Sequence, residues 1–242
     1  GPEMTSHAIG ARGSLLAVSD GMGEAGGQAA ELVLATLHRV VGVIPPEMGP
    51  SDRLHRAARH TARHVWEVLR ARPDLHGPSA TLTAILVCEH DAWVLQIGDS
   101  RAYLLRGDRI EQITKDQTLA EALADSGSLQ PGSRPPDLLL QTLGLEPALQ
   151  PVITRVDLHE GDRLLVCSDG LSNALEAGEL LRIAGSTPDL AEACRRLVDA
   201  ARARSRDNVT VVLAIVDEVG HALDPDETVT WTLPAVLGVA RE

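Results

Sequence analysis

Four aspartates in this chain stand where an apolar run stops or starts. Asp20, Asp99 and Asp169 directly follow strand-like apolar runs, in the contexts AVSDGMG, LQIGDSR and LVCSDGL, and Asp207 precedes one in SRDNVTVVLAIV. Strand ends in one sheet lie side by side, so acids placed there can converge. Crowded carboxylates repel one another and lose hydration, and a hard divalent cation removes both costs. Glycine follows both Asp20 and Asp169, allowing a tight backbone turn and letting a main-chain carbonyl approach an ion. With no organised His or Cys beside them, an all-oxygen set favours Mg or Mn over Zn. Two such ions close together are suited to activating water against a phosphoryl centre. Any one Asp-Gly after a strand reads equally as a turn residue; it is the repetition in strand context that raises the metal reading to stand level with it.

The elements that must position these acids are legible from periodicity. Ser14 to Ser19 reads as a buried strand ending at Asp20-Gly21. Gln28 to Val41 carries Ala29, Leu32, Val33, Thr36, Leu37 and Val40 at helical spacing, and Pro45-Pro46 marks the loop after it. A second helix is expected from about Ser51, as N-cap, to Arg70, with Leu54, Ala58, Val65 and Leu69 inward and Pro73 as its stop. Strands follow at Thr81 to Cys88 and Ala92 to Ile97 around Glu89-His90-Asp91, then at Tyr103 to Leu105 and Arg109 to Ile113 around Arg106-Gly107-Asp108. Leu119 to Ala124 reads as a short helix that opens a surface flap reaching Pro136. Val152 to Leu158, Arg163 to Cys167 and Val209 to Val216 are further strands, with helices near Ala177 to Ile183 and Asp189 to Arg204 between the last two. Hairpins with helix pairs inserted between them, without regular strand-helix alternation or internal repeat, predict an α+β fold of mainly antiparallel sheets covered by helices.

Composition narrows the function. The chain has 242 residues, enough for one substantial domain, with Lys+Arg 22 against Asp+Glu 34 and a net charge of −12. That balance argues against a nucleic-acid surface, which needs a basic footprint. Cys88, Cys167 and Cys194 are odd in number and far apart, which predicts free thiols in a reducing compartment. No apolar run approaches membrane-spanning length and the start has no signal-peptide architecture, so the expected location is the cytoplasm, without a membrane. Lys115 is the sole lysine, Tyr103 the sole tyrosine, and phenylalanine is absent, so the core must be aliphatic. Residues 218–242 are expected to form an extension, either a tail or an added edge strand.

The segments SDGMGEAGG, GDSRAYL, VCSDGLSNAL and DNVTVV, in that order, resemble the signature motifs of the protein phosphatase 2C family, in its bacterial branch, where Met follows the first Asp-Gly. SATLTAIL, ITKDQ and LLLQTLG are weaker matches between them, and the resemblance spans about Ser14 to Asp217. It implies a four-layer αββα sandwich in which two stacked sheets are flanked by helix pairs, over a catalytic domain of residues 1–217. It implies a protein serine/threonine phosphatase with Mn or Mg as cofactor, two ions and a third weaker one. By the resemblance Asp20 would bridge two metals with the Gly21 carbonyl, Asp169 and Asp207 would bind the second, and Asp99 with Asp169 would form the third site. Asp20, Asp169 and Asp207 would thus carry catalysis through a metal-bridging water that attacks phosphoserine or phosphothreonine without a phosphoenzyme. Ser168 and Asn208 would orient ligands. Phosphorylated proteins are the implied substrates, a bacterial Ser/Thr kinase the implied counterpart, and a monomer the expected state.

The chain departs from the family at three places. The family's opening Arg-x-x-Asn-Glu-Asp strand has no match before Ser14, and Arg12 lies too close to the first strand to stand for its phosphate-binding arginine. Glu24-Ala25 replaces Gly-His, and Gln117 replaces the His of the Asp-His segment. The alternative reading is therefore a weak or inactive phosphatase-like regulatory module, and a hydrolase of small phosphate esters is a third. His38, His55, His60 and His64 fall on helices without ligand spacing and read as surface or core residues. Trp66 and Trp93 read as packing anchors, and Cys167 as a buried inert thiol.

Overall fold

Alternation sorts the strand side chains into three apolar layers. Leu15, Ala17, Leu82, Ala84, Leu86, Leu95 and Ile97 pack with Val33, Leu37, Leu54 and Val65 from helices. Their strand neighbours Leu16, Val18, Ile85 and Val94 pack instead with Ala102, Leu104, Leu164, Val166 and Val212. The opposite faces of those last strands carry Tyr103, Leu105, Leu165, Cys167 and Leu213 against Leu180, Ile183, Leu197 and Ala201. Period-two patterning on both sheets thus builds helix, sheet, sheet, helix in that order, the expected αββα sandwich. Each buried aliphatic side chain contributes about 1.5–3 kcal/mol, and the middle layer is wholly aliphatic, as a chain without phenylalanine requires.

The computed structural model describes residues 7–8, 13–72, 77–130, 132–133, 135–136 and 138–217. In chain order these form β1 (His7–Ala8), β2 (Ser14–Val18), β3 (Gly21–Met22), α1 (Gly26–Val43), α2 (Pro50–Arg70), β4 (Ser79–Ala80), β5 (Leu82–Cys88) and β6 (Asp91–Ile97). They continue with β7 (Arg101–Arg106), β8 (Arg109–Gln112), α3 (Leu119–Asp125), β9 (Val152–Asp157), β10 (Arg163–Cys167) and α4 (Asp169–Ser172). The last are α5 (Ala177–Leu180), which runs into a π-helical turn (Leu181–Gly185), α6 (Leu190–Arg202) and β11 (Val211–Ile215). One sheet has the order β1-β2-β5-β6-β9 and the other β11-β10-β7-β8, with β3 and β4 forming a separate small pair. Every pairing between these strands is antiparallel.

Three local readings change. Gly49, not Ser51, occupies the N-cap of α2, because Pro50 takes the first helical position, where its missing N–H costs nothing. Thr81 stands in a break between β4 and β5, outside the strand proper. A two-residue strand, β1, pairs with β2 ahead of the first Asp-Gly. Pro73, Arg12 and the expected extension 218–242 lie outside the described residues. No helix among the described residues is long and apolar enough to cross a membrane.

Candidate metal centre

The registers place the four aspartates at one end of the sandwich. In the first sheet Val18, the last residue of β2, pairs with Thr83, and Leu82 pairs with Ile97, the last residue of β6. Asp20 and Asp99 therefore leave the same sheet end. In the second sheet Cys167, the last residue of β10, pairs with both Arg101, the first of β7, and Val211, the first of β11. Asp99, Asp169 and Asp207 thus flank three adjacent strand ends, and β2 packs directly on β10 and β11.

Local hydrogen bonds hold each backbone. The Asp20 N–H donates to Thr81 Oγ1 at 3.0 Å, and the Thr81 N–H donates to the Asp20 carbonyl at 2.9 Å. Gly21 backs onto Gly26 at the start of α1 so closely that a Cβ on it would lie 1.9 Å from the Gly26 oxygen, so no side chain fits there. Asp169 does not sit in a plain turn, as its Asp-Gly context suggests; it is the first residue of α4. Its Oδ2 accepts from Asn173 Nδ2 at 3.2 Å. Ser168 before it ties β10 to the segment bearing Asp207: its Oγ donates to the Asn208 carbonyl at 3.2 Å and accepts from the Thr210 N–H at 3.1 Å. Gly170 lies so near that segment that a Cβ would stand 2.3 Å from the Asn208 oxygen. Asp207 is exposed, and its backbone is arranged locally by the Ser205 hydroxyl at 3.1 Å, with its own Oδ1 accepting from the Asn208 N–H at 2.8 Å. Ser168 and the Asn208 carbonyl thus tie the backbone segments that carry Asp169 and Asp207 to one another.

Electrostatics tie the four together. The Asp20 carboxyl is pushed up to about 8, first by burial, then by the charge of Asp169 and a hydrogen bond shared with it, then by the charges of Asp207 and Asp99. Every one of these influences disfavours ionisation, and none is a cation. The strongest cation on the adjoining strand, Arg101, is already engaged by Asp116, with Nε at 2.9 and 3.1 Å and Nη2 at 2.7 Å, and by the Tyr103 hydroxyl at 3.3 Å. A half-buried carboxyl crowded by three other acids fits a bound cation. Among the described residues no three His, Cys, Asp or Glu side chains close into a cage around one ion. Asp20, Asp169, Asp207, Asp99 and the Gly21 carbonyl are the oxygen donors available.

Sequence reading missed the groups behind the acids. Thr81, Thr83, Ser19 and Ser100 are all buried; the sole signal was two threonines spaced by two in SATLTAIL, on one face of a strand. The Arg101–Asp116 pair had no pattern in the sequence to reveal it, and Gln117, noted there only as a replacement for His, accepts from the Gly98 N–H at 2.8 Å through its Oε1. Cys167 is fully buried and burial pushes its thiol up to about 12, as an inert thiol requires. Arg70 lies 4.9 Å over Trp66, and Arg155 lies 5.7 Å over Trp93, itself packed on the helix-facing core.

The model of the family described as "Protein phosphatase 2C" matches residues 4–213. The chain is 38% identical over 208 residues to the serine/threonine protein phosphatase PstP of Mycobacterium tuberculosis, covering 84% of this chain and 40% of that protein. It is 34% identical over 147 residues to the protein phosphatase PhpP of Streptococcus pneumoniae, covering 59% and 60%. The chain thus spans less than two thirds of either relative. Among solved structures, that of M. tuberculosis PstP/Ppp is similar with a TM-score of 0.78 at 35% identity, over 90% of this chain and 93% of that one. The catalytic domain of PstP in complex with two manganese ions is similar with a TM-score of 0.76 at 36% identity, over the same shares.

Proposed function

The chain belongs to the protein phosphatase 2C family, and on that premise we propose that it is a metal-dependent phosphatase of phosphoserine and phosphothreonine on proteins. The observation that carries this reading is the convergence of Asp20, Asp99, Asp169 and Asp207 at one end of the sandwich, where burial and the charges of the other three raise the Asp20 carboxyl. Asp20 with the Gly21 carbonyl, Asp169 and Asp207 would hold two Mn or Mg ions, and Asp99 with Asp169 a third. The relative whose catalytic domain was solved with two manganese ions supports that choice of metal. When bound, such ions lower the pKa of coordinated water and offset charge on phosphoryl oxygens.

The chain's own residues supply placement. Asn173 holds one oxygen of Asp169 and so helps to orient its carboxylate. Ser168 holds the Asp169 and Asp207 segments at a fixed separation. Asp20 must lose its proton for the site to load, and a cation favours that ionisation. Hydrolysis is direct: a water oxygen forms the bond to phosphorus, and the serine or threonine oxygen leaves and takes a proton. Cys167 offers no thiolate for a covalent route.

The substrates are phosphoproteins and the counterpart is a Ser/Thr kinase. The domain works as a monomer in the cytoplasm, without nucleic acid or membrane, in keeping with its net charge of −12. The test is hydrolysis of p-nitrophenyl phosphate and of a phosphothreonine peptide with and without Mn, by this chain and by Asp169→Asn. Mn-dependent turnover of both, lost in the variant, is expected. No turnover with Mn would favour the inactive regulatory module, and turnover of the small ester alone would favour a small-ester hydrolase.

A further inference from the structure

Behind the acids lies a buried hydroxyl network that joins the two sheets, and one residue stands at its centre. Thr81 is 1% exposed. Its Oγ1 accepts from the Asp20 N–H at 3.0 Å and lies 2.8 Å from Ser100 Oγ. Its N–H donates to the Asp20 carbonyl at 2.9 Å, and its carbonyl accepts from Ser19 Oγ at 2.6 Å. The other arm of the side chain faces Gly98. A Cβ on Gly98 would stand 2.7 Å from Thr81 Cγ2 and 2.9 Å from Thr81 Cβ, so the Gly98 backbone lies directly against the threonine. Gly98 and Ser100 are the two neighbours of Asp99. Thr83 adds one more tie, its Oγ1 donating to the Ser100 carbonyl at 2.7 Å.

Thr81 therefore grips the backbone of Asp20 and brackets Asp99 on both sides. The hydroxyl holds Ser100, where the chain enters the second sheet, and the methyl presses on Gly98, where it leaves the first. A hydroxyl has one proton and two lone pairs, enough to accept from Asp20 and pair with Ser100 at once. Threonine alone carries hydroxyl and methyl on one stiff Cβ: valine keeps the shape and loses both hydrogen bonds, while serine keeps the bonds and loses the contact with Gly98.

We infer that Thr81 is a positioning residue that sets the spacing of Asp20 and Asp99, and hence the affinity of the site for divalent cations. The inference rests on the proposed metal centre. A buried threonine that merely stabilised the fold would move the unfolding midpoint and leave metal affinity alone, so the test reads both. Mn is titrated calorimetrically into wild type, Thr81→Val, Thr81→Ser and Thr187→Val, with thermal midpoints taken in EDTA. Thr187→Val is the control, since Thr187 is also buried and accepts a hydrogen bond from Arg196 at 3.1 Å. Thr81→Val is expected to bind Mn about 10- to 100-fold more weakly, the usual consequence of removing a group that orients a ligand. The Mn concentration for half-maximal p-nitrophenyl phosphate turnover should rise by the same factor. Thr81→Ser should fall between wild type and Thr81→Val, and Thr187→Val should lower the midpoint with unchanged affinity. Should Thr81→Val fail to fold, Ser100→Ala removes the same link from its other end and is expected to weaken Mn binding in the same direction. Wild-type affinity in Thr81→Val, or in Ser100→Ala where that stands in, overturns the role of Thr81 and leaves the metal centre standing. An equal loss in Thr187→Val overturns it as well. A wild type that binds no Mn overturns the metal centre, and the role of Thr81 with it.

Discussion

Two regions leave the same end of the sandwich and are anchored in different ways. At the acids, Asp20 and Asp99 are fixed by Ser19, Thr81, Thr83 and Ser100, all of them nearly or fully buried. In the flap that begins at Leu119, helix α3 buries none of its side chains. The flap rests on backbone links at its two roots, Leu119 N–H to the Leu138 carbonyl at 2.9 Å and Leu140 N–H to the Gln117 carbonyl at 2.8 Å. Surface ion pairs run from Lys115 to Glu121 and Asp125 of α3. A buried hydroxyl network tolerates no displacement without leaving a donor or acceptor unpaired, whereas exposed ion pairs cost little to break. The contrast places rigidity at the proposed metal centre and leaves the flap held by contacts that cost little to break.

The contrast can be broken most severely at the acids. Asp169→Asn should lower Mn-dependent turnover by about three orders of magnitude, the rate equivalent of about 4 kcal/mol, while the protein stays folded by circular dichroism. If a flap substitution cost as much, the division between the two regions would fail.

A second prediction separates stability from chemistry. Asp162 is buried in the turn between β9 and β10, where Arg106 donates to it at 2.8 and 2.7 Å and the His159 N–H at 2.7 Å. Burial alone would raise its carboxyl, but these donors and the charges of Arg106 and His159 bring it below the ordinary range. A carboxyl depressed in the folded state contributes stability that is present above the unfolded value and lost as pH falls through the folded one. Urea titrations of wild type should therefore weaken below about pH 4, and Asp162→Ala should flatten that part of the profile. At neutral pH the variant should lose about 1–3 kcal/mol with its turnover at saturating Mn unchanged. A loss of turnover would show that the acid end depends on this distant pair.

The smallest effect is expected in the flap. Lys115→Ala removes both exposed ion pairs to α3 and should leave the thermal midpoint unmoved within error. Any change should appear in KM for a phosphopeptide before it appears in kcat, as for a substrate-access element. A large drop in the midpoint would place the flap with the rigid region.

The strands and their terminal acids were legible in the sequence because an apolar run that stops at Asp-Gly is a local signal. AVSDG, QIGDS and VCSDG each show where a buried strand leaves the core. The sorting of Leu15 and Leu16 to opposite faces also follows from period two alone. What was not legible depends on partners distant in the chain. Helix α4 begins on Asp169 itself, because Ser168 is bonded to Asn208 and Thr210 some forty residues on. Thr81 read as one more strand residue, and its contacts with Asp20 and Ser100 exist only once the sheets are stacked. The N-cap of α2 fell on Gly49 because Pro50 fits the first helical position and leaves Ser51 inside the helix. The turn of π-helix at Leu181–Gly185, ahead of α6, has no composition that announces it.

We infer that the crowding of the Asp20 carboxyl by Asp169, Asp207 and Asp99 marks a site for a cation. This is tested most directly by thermal midpoints of wild type and Asp20→Asn, each in EDTA and in excess Mn. Wild type should gain stability with Mn, by about 2.7 kcal/mol when Mn stands a hundredfold above its Kd. Asp20→Asn, relieved of a carboxylate crowded by Asp169, Asp207 and Asp99, should unfold at a higher temperature than wild type in EDTA and gain little from Mn. A variant that is less stable than wild type in EDTA and gains as much from Mn would contradict the account.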